Sequence, residues 1–250
     1  MQRYFVLPEQ MKDNEVSITG EDVKHISKVM RMSIGDVIVC SNNASRTVRC
    51  TIKDMSDQQV IAVIDEAIQP NTELPIEVTI AQALPKADKL DWIIQKGTEL
   101  GVHTFQPFAA SRSIVKWDRK KAMKKRERLE KIAKEAAEQA YREKIPYVAD
   151  FIPFTELLKM VQHYDRTVIA YEEVAKEQDH TYFANTLQEL TKGQRLLIII
   201  GPEGGLSEEE VEKLQEQEAV PCSFGPRILR TETAAMYALS AISYHFELMR

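Results

Sequence analysis

The sequence lacks most of the features that reveal chemistry at a glance. No apolar run in its 250 residues reaches the roughly 18 needed to cross a bilayer, and the aliphatic stretch Leu196 to Ile200 is far too short. The first residues, MQRYFVLPEQ, have neither the basic start nor the long apolar stretch of a secretory signal, so a cytoplasmic location is expected. The three cysteines (Cys40, Cys50, Cys222) are odd in number, widely spaced and without a CxxC, which suits reduced thiols rather than a disulfide framework or zinc site. The five histidines form no HxH or HxxxH pair, so no metal is expected. There is no internal repeat and no low-complexity segment. What is present, 44% hydrophobic and 28% charged residues, is the make-up of a globular protein of one large or two unequal domains.

Charge is distributed unevenly. The whole chain carries −5, yet Arg112 to Lys134, RSIVKWDRKKAMKKRERLEKIAK, holds eleven basic residues against three acids, a local +8 that leaves the remainder at −13. Leu129, Ile132, Ala133, Ala136, Ala137 and Ala140 recur at helical spacing, which predicts a long helix with one buried stripe. Its basic side is either a solvated face or a surface for a polyanion.

The N-terminal part reads as β-rich. DVIVCS, RTVRCTIKDM and QQVIAVIDEA are short runs rich in β-branched residues, and a helix over roughly Glu21 to Met30 interrupts the pattern. Strands this short around one helix predict a small barrel. IQPNTELP, Ile68 to Pro75, has the prolines and polar residues of a linker. Beyond it strands and helices alternate: IEVTIAQAL, helical KADKLDWIIQKGTELG, HTFQPFAA, and later RTVIAYEE, RLLIIIG and VPCSFG. Their continuous apolar runs predict a largely parallel sheet covered on both faces. The expected domains are residues 1–72 and 73–250.

LLIIIGPEGGLSEEEVEKL joins an apolar strand to an acidic helix through a glycine turn. It is not a phosphate loop, because no lysine follows Gly204-Gly205 as a Walker motif requires, and the spacing is not GxGxxG. Ser207 and Glu210 form an S-x-x-E capping box, so side chains occupy amides that a phosphate would need. Glu203, Glu208, Glu209 and Glu210 would repel a phosphate as well. Gly201, Gly204 and Gly205 instead permit close backbone approach to a ligand that is neutral or positive at its reactive end. S-adenosylmethionine, a sulfonium without phosphate, fits; a tight turn with no ligand is the plain alternative.

A second glycine turn opens FGPRILRTETAAMYALSAISYHFELM, Phe224 to Met249. Arg227 and Arg230 stand three apart, and Thr231 is expected to cap a helix carrying Ala235, Leu239, Ile242 and Phe246 on one face. Loops at the ends of successive parallel strands meet at the carboxyl edge of a sheet, where such folds bind ligands.

IGPEGGLSEEE and FGPRILRTETA, with HISKVMRMSIGD, KGTELGV and ERLEKIAKEAAEQAYREKIP upstream, resemble the RsmE family, 16S rRNA uridine-N3 methyltransferases of the SPOUT superfamily. The motifs run in order over nearly the whole chain. Phe224 stands where the family usually has leucine, and no clear turn signal precedes the last strand at Ala219-Val220. The resemblance implies an α/β fold. Its C-terminal SPOUT domain would have a parallel sheet, helices on both faces and a deep trefoil knot, behind an N-terminal PUA-like RNA-binding β-barrel. It implies a homodimer with the last helix at the interface, and 16S rRNA of the small ribosomal subunit as partner. It also implies that S-adenosylmethionine binds between three loops. The first holds Ala170, Tyr171 and Glu172; the second Ile200, Gly201, Pro202, Glu203, Gly204 and Gly205. The third holds Phe224, Gly225, Ile228, Leu229, Arg230, Thr233 and Ala234.

Methylation at uracil N3 requires removal of a proton, an in-line methyl group and donors for charge developing on the uracil oxygens. Arg230, with its rigid fork, is the expected donor, and Arg227 either shares that task or binds backbone. Glu232 or Glu203 is the expected proton acceptor. Arg112, Lys116 and Arg227 are expected RNA contacts; the resemblance implies that Glu138, Gln139 and Arg142 of EAAEQAYR face the RNA or the active-site cleft, with ordinary helix surface as the alternative. His25 is expected to be a polar packing residue. Trp92 and Trp117 are the aromatic faces on which a base would stack, although Trp92, inside LDWIIQK, is expected in the core. Two other classes stay open: a SPOUT enzyme methylating ribose 2′-hydroxyls, and a ribosome-associated RNA-binding protein without catalysis.

Overall fold

The computed structural model of the chain describes residues 1–173 and 181–249. It divides into two compact units, Met1–Glu73 with Ala137–Ile145, and Leu74–Ala136 with Pro146 onward.

The first unit is a five-stranded sheet of β1 (Gln2–Phe5), β2 (Glu15–Thr19), β3 (Val37–Ser41), β4 (Thr47–Met55) and β5 (Gln59–Ile68). The order is β1-β3-β4-β5-β2, antiparallel throughout except for the parallel pair β1 and β3. Alternation sends Val48, Cys50 and Ile52 of β4 and Val60 and Ala62 of β5 inward, where Val16, Ile18 and Ile38 meet them. Helix α1 (Glu21–Lys24) runs on into a wider π-turn, His25–Val29, and closes this core with Val23 and Ile26. His25 Nδ1 lies 3.1 Å from the Tyr4 hydroxyl, so the histidine packs as expected.

Ala137–Ile145 completes the unit and corrects the reading of Arg142. That residue lies beyond the end of its helix, is only 3% exposed, and pairs with the Glu73 carboxylate. Glu73 also accepts from the amides of Glu143 (2.9 Å) and Lys144 (3.2 Å), and Arg3 donates to the Arg142 carbonyl. A buried guanidinium held in this way is a structural ion pair and not an RNA contact.

The second unit carries an all-parallel sheet: β6 (Glu77–Ala83), β7 (Thr104–Ala109), the short β8 (Tyr147–Val148) and β9 (Ile152–Pro153), β10 (Arg166–Ala170), β11 (Arg195–Ile200) and β12 (Val220–Cys222). The order is β12-β10-β11-β6-β7-β8, with β9 also on β7. The helices are α2 (Lys89–Glu99), α3 (Arg119–Gln139), α4 (Phe154–Val161), α5 (Tyr182–Glu189), α6 (Glu208–Gln215) and α7 (Thr231–Ser243). Leu196 to Ile200 are all buried because both faces of β11 are covered. Leu197 and Ile199 pack with Leu157 and Val161 of α4 and Val211 and Leu214 of α6. Helices α2 and α7 lie on the other face, where Gly97, Phe105 and Leu239 meet. On α3 the expected stripe is present, with Leu129, Ala133, Ala136 and Ala137 buried and Ile132 half-buried; Ala140, also half-buried, lies just past its end. Trp92 departs from expectation. The buried positions of α2 are Leu90, Ile93, Ile94, Gly97 and Thr98, and the helical repeat turns Trp92 off that stripe, 44% exposed. Among the described residues no helix is long and apolar enough to cross a membrane.

Candidate functional site

Strand β10 lies between β11 and β12, with Ala170 in register with Ile200 on one side and Cys222 on the other. These three residues end their strands, so the loops that follow converge on one edge of the sheet. A cleft of about 450 Å³ opens there, a size suited to a small cofactor. Apolar side chains (Ile200, Leu206, Phe224, Ile228, Leu229), acids (Glu172, Glu173, Glu203, Glu208) and cations (Lys89, Arg112, Arg227, Arg230) all line it. Such a lining suits a ligand with one flat apolar part and one positive centre.

Nearly all the expected cofactor residues come together in this cleft: Ala170, Tyr171, Glu172, Ile200, Gly201, Pro202, Glu203, Gly205, Phe224, Gly225, Ile228, Leu229, Arg230 and Ala234. Gly204 is not in its lining; its carbonyl accepts from Arg112 Nη1 at 3.1 Å. Thr233 faces a neighbouring hollow with Trp92 and Glu232. Arg112 and Arg227, expected on RNA, line the cleft itself, whereas Lys116 and Gln139 are exposed outside it. Thr231 of the third expected loop lines it too, and Lys89, Leu206, Glu208, Cys222 and Ser223 also line it and were not foreseen there.

The loop after β11 doubles back on itself. A Cβ on Gly201 would stand 2.9 Å from the carbonyl carbon of Gly205 and the nitrogen of Leu206, and Gly205 has φ +68°. Thr231 does not cap α7. The N-cap position is Arg230, without a side-chain bond, and Thr231 is the first helical residue. Its buried hydroxyl donates to the Gly201 carbonyl at 2.7 Å and accepts from Gln82 Nε2 at 2.9 Å, tying the loop and α7 to β6. The capping box at α6 is as expected: Glu210 N donates to Ser207 Oγ at 3.2 Å and Ser207 N to Glu210 Oε2 at 2.9 Å. The same carboxylate accepts from the Ser111 amide (2.7 Å) and hydroxyl (2.9 Å), fixing the loop that follows β7.

The chain matches the family model of an RNA methyltransferase domain over residues 72–243 and that of an RNA methyltransferase PUA domain over residues 18–65. It is 54% identical over 253 residues to the ribosomal RNA small subunit methyltransferase E of Bacillus subtilis, across 100% of this chain and 99% of that protein. The chain belongs to this family of RNA methyltransferases. A Synechocystis protein of the same name is 29% identical over 241 residues, across 96% of this chain and 77% of that one. Among solved structures, a ribosomal RNA small subunit methyltransferase E from Neisseria gonorrhoeae bound to S-adenosyl methionine superposes with a TM-score of 0.82. That protein is 26% identical, with 97% of each chain covered.

The electrostatics of the cleft centre on a residue that sequence reasoning missed. Lys89 Nζ, at the start of α2, lies 3.0 Å from Glu203 and 3.1 Å from Glu232, the two expected proton acceptors. Hydrogen bonds to Glu203 and then Glu232 raise the Lys89 ammonium above its ordinary value. Burial pushes Glu203 up, but Lys89 and the Lys86 amide, which donates to it at 3.0 Å, outweigh burial and hold the carboxyl below its usual range. The exposed Arg230 guanidinium, by contrast, has no hydrogen bond or ion pair among the described residues. Burial pushes the Cys222 thiol up to about 12, so it is not a nucleophile at neutral pH.

Proposed function

We propose that the chain transfers a methyl group from S-adenosylmethionine to N3 of a specific uridine in 16S rRNA of the small ribosomal subunit. The observation that carries this reading is a carboxylate-rich cleft at three parallel strand ends, in a chain of the RNA methyltransferase family. The printed name of the Bacillus relative, a small-subunit ribosomal RNA methyltransferase, supports the substrate. The cofactor bound in the Neisseria structure supports the donor. The donor supplies an electrophilic methyl on a sulfonium. Glu172, Glu173, Glu203 and Glu208 offset that positive charge, while Ile200, Leu206 and Phe224 shield the flat apolar part from water. Arg112 suits a ligand carboxylate.

Arg230 is the residue assigned to the uracil oxygens. It is unpaired, exposed and at the cleft mouth, so its fork can meet negative charge as it develops. Arg227, also lining the cleft, is its second or a backbone contact. Of the two acids, Glu232 takes the N3 proton. Glu203 is committed to both Lys89 and the Lys86 amide, and its lowered proton affinity makes it the poorer base. RNA backbone is assigned to Lys116, Gln139 and the cations of α3, with the PUA unit as a second RNA surface. Residues 1–72 and 73–250 are proposed as the functional domains, the latter knotted in the SPOUT manner. A homodimer is supported by Tyr237, Tyr244 and Leu248, exposed on and just beyond α7.

The test is methyl transfer from labelled S-adenosylmethionine to 16S rRNA and to small subunits lacking the mark, with the product nucleoside mapped by mass spectrometry. Label on base N3 is expected. Label on a ribose hydroxyl, or no transfer by folded protein that binds S-adenosylhomocysteine, would overturn the reading.

A further inference from the structure

Trp92 takes no part in the cleft, yet it stands beside it. Its indole lines an open hollow of about 720 Å³ with Asp88, Lys89, Arg230 and Glu232. Lys89 and Arg230 line the cleft as well, so the hollow continues directly from the cleft mouth. Next to Trp92 in the chain, Asp91 pairs with Arg128 at 2.5 Å, which brings the basic helix α3 alongside. A strand running from α3 to the cleft mouth therefore crosses α2 close to Trp92.

We propose that Trp92 is the stacking platform for a nucleobase of the RNA strand flanking the methylated nucleotide, an inference that rests on the RNA methylation reading above. The charges in the hollow favour a base over a phosphate. Lys89 is occupied by Glu232, and Asp88 has no ion pair among the described residues. A phosphate there would face an uncompensated carboxylate, whereas the amino or imino groups of a base can donate to it. An exposed indole offers a π-face to any base, so the platform adds affinity without demanding one sequence. Arg230, at the shared edge, stays free for the target base.

The sequence has two tryptophans, so Trp117→Phe leaves Trp92 as the sole indole reporter. Titration of that variant with a short single-stranded oligoribonucleotide should quench its fluorescence, and an abasic oligonucleotide of equal length should not. In the parent chain Trp92→Ala should raise KM for RNA about tenfold, leave kcat and S-adenosylhomocysteine affinity within about twofold, and be largely rescued by Trp92→Phe. Equal quenching by the abasic strand, or an unchanged KM, would overturn the proposal. So would a change in oligomeric state on Trp92→Ala, which would assign the indole to a contact between copies of the chain. Because quenching reads binding without turnover, its outcome is separate from whether the methylated atom is N3.

Discussion

The three glycines of the loop after β11 should respond unequally to alanine. At Gly201 the added methyl would lie 2.9 Å from two backbone atoms, Gly205 C and Leu206 N, which no side-chain rotation can move. Overpacking of this kind costs about 1–3 kcal/mol. The loop can relieve that strain by opening, and a ligand that needs the closed loop must reverse the opening. Affinity for the cofactor product should then fall by about 5- to 150-fold. At Gly205 there is open space but φ is +68°, so alanine costs about 1–2 kcal/mol through left-handed backbone strain and the loss is smaller. At Gly204 the methyl would meet Arg112 alone, its Cβ nearest at 3.4 Å, and affinity should change less than about threefold. Calorimetric titration with S-adenosylhomocysteine measures all three, with circular dichroism to confirm folding. Wild-type affinity in Gly201→Ala, or equal damage from Gly204→Ala, would refute the idea that close backbone approach shapes this cleft.

Lys89→Met should lower turnover about 10- to 100-fold, because it leaves the Glu203 and Glu232 carboxylates without the cation that holds them. Glu203 is held below its ordinary 4.5, so its contribution to stability is present above that value and lost as pH falls through the lower folded value. Lys89 is held above its ordinary 10.5, so its contribution is present below that value and lost as pH rises through the raised one. The melting temperature of Lys89→Met should therefore differ most from wild type within roughly pH 5 to 10, with the two curves converging outside it. Thr231→Val should destabilise the second unit by about 1–3 kcal/mol in urea, since the Gly201 carbonyl and Gln82 amide each lose one of their buried partners, and Thr231→Ser should restore most of it. Arg142→Met should cost about 3 kcal/mol, at the lower end for a broken buried pair because Glu73 is 25% exposed. S-adenosylhomocysteine affinity should survive that change, as every cleft residue belongs to the second unit.

The features legible in the sequence were those set by local pattern. β-Branched alternation gave β4 and β5, a continuous aliphatic run gave the doubly covered β11, and the alanine stripe of α3 was visible at helical spacing. The capping box was legible because both partners lie within one turn. What escaped notice depends on distant partners or on backbone that composition does not encode. The turn before β12 is made by Glu218 at φ +67°, a conformation for which glycine or asparagine would have been the signal. Thr231 resembles an N-cap by type, and only the third dimension brings Gly201 and Gln82 to its hydroxyl. Lys89 is one lysine among many until its two carboxylates, far along the chain, fold onto it. Trp92 could have been placed correctly, since the spacing of Leu90, Ile93, Ile94 and Gly97 already excludes position 92 from the buried stripe.

The net charge of a segment and its grip on a polyanion differ, and the basic helix shows how. Arg112 to Lys134 contains eleven cations, but several are already committed. Arg126 pairs with Glu130 (2.8 Å) and Asp150 (2.7 Å), Arg128 with Asp91 (2.5 Å), and Arg112 bonds the Gly204 carbonyl. Lys116, Arg119, Lys120, Lys121, Lys124 and Lys125 have no ion pair among the described residues. Each free cation that meets a phosphate releases its counterion and adds about 0.7–0.9 to the magnitude of the slope of log Kd against log salt. A paired cation adds less, because its partner already supplies the negative charge. The triple variant Lys120→Gln, Lys121→Gln, Lys124→Gln should therefore lower the slope by about 2 to 3 in filter binding with 16S rRNA. Arg126→Gln with Arg128→Gln should change it by less than about 0.5. Equal losses from the two variants would mean that the ion pairs open on binding, and that the paired cations grip RNA as well as the free ones do.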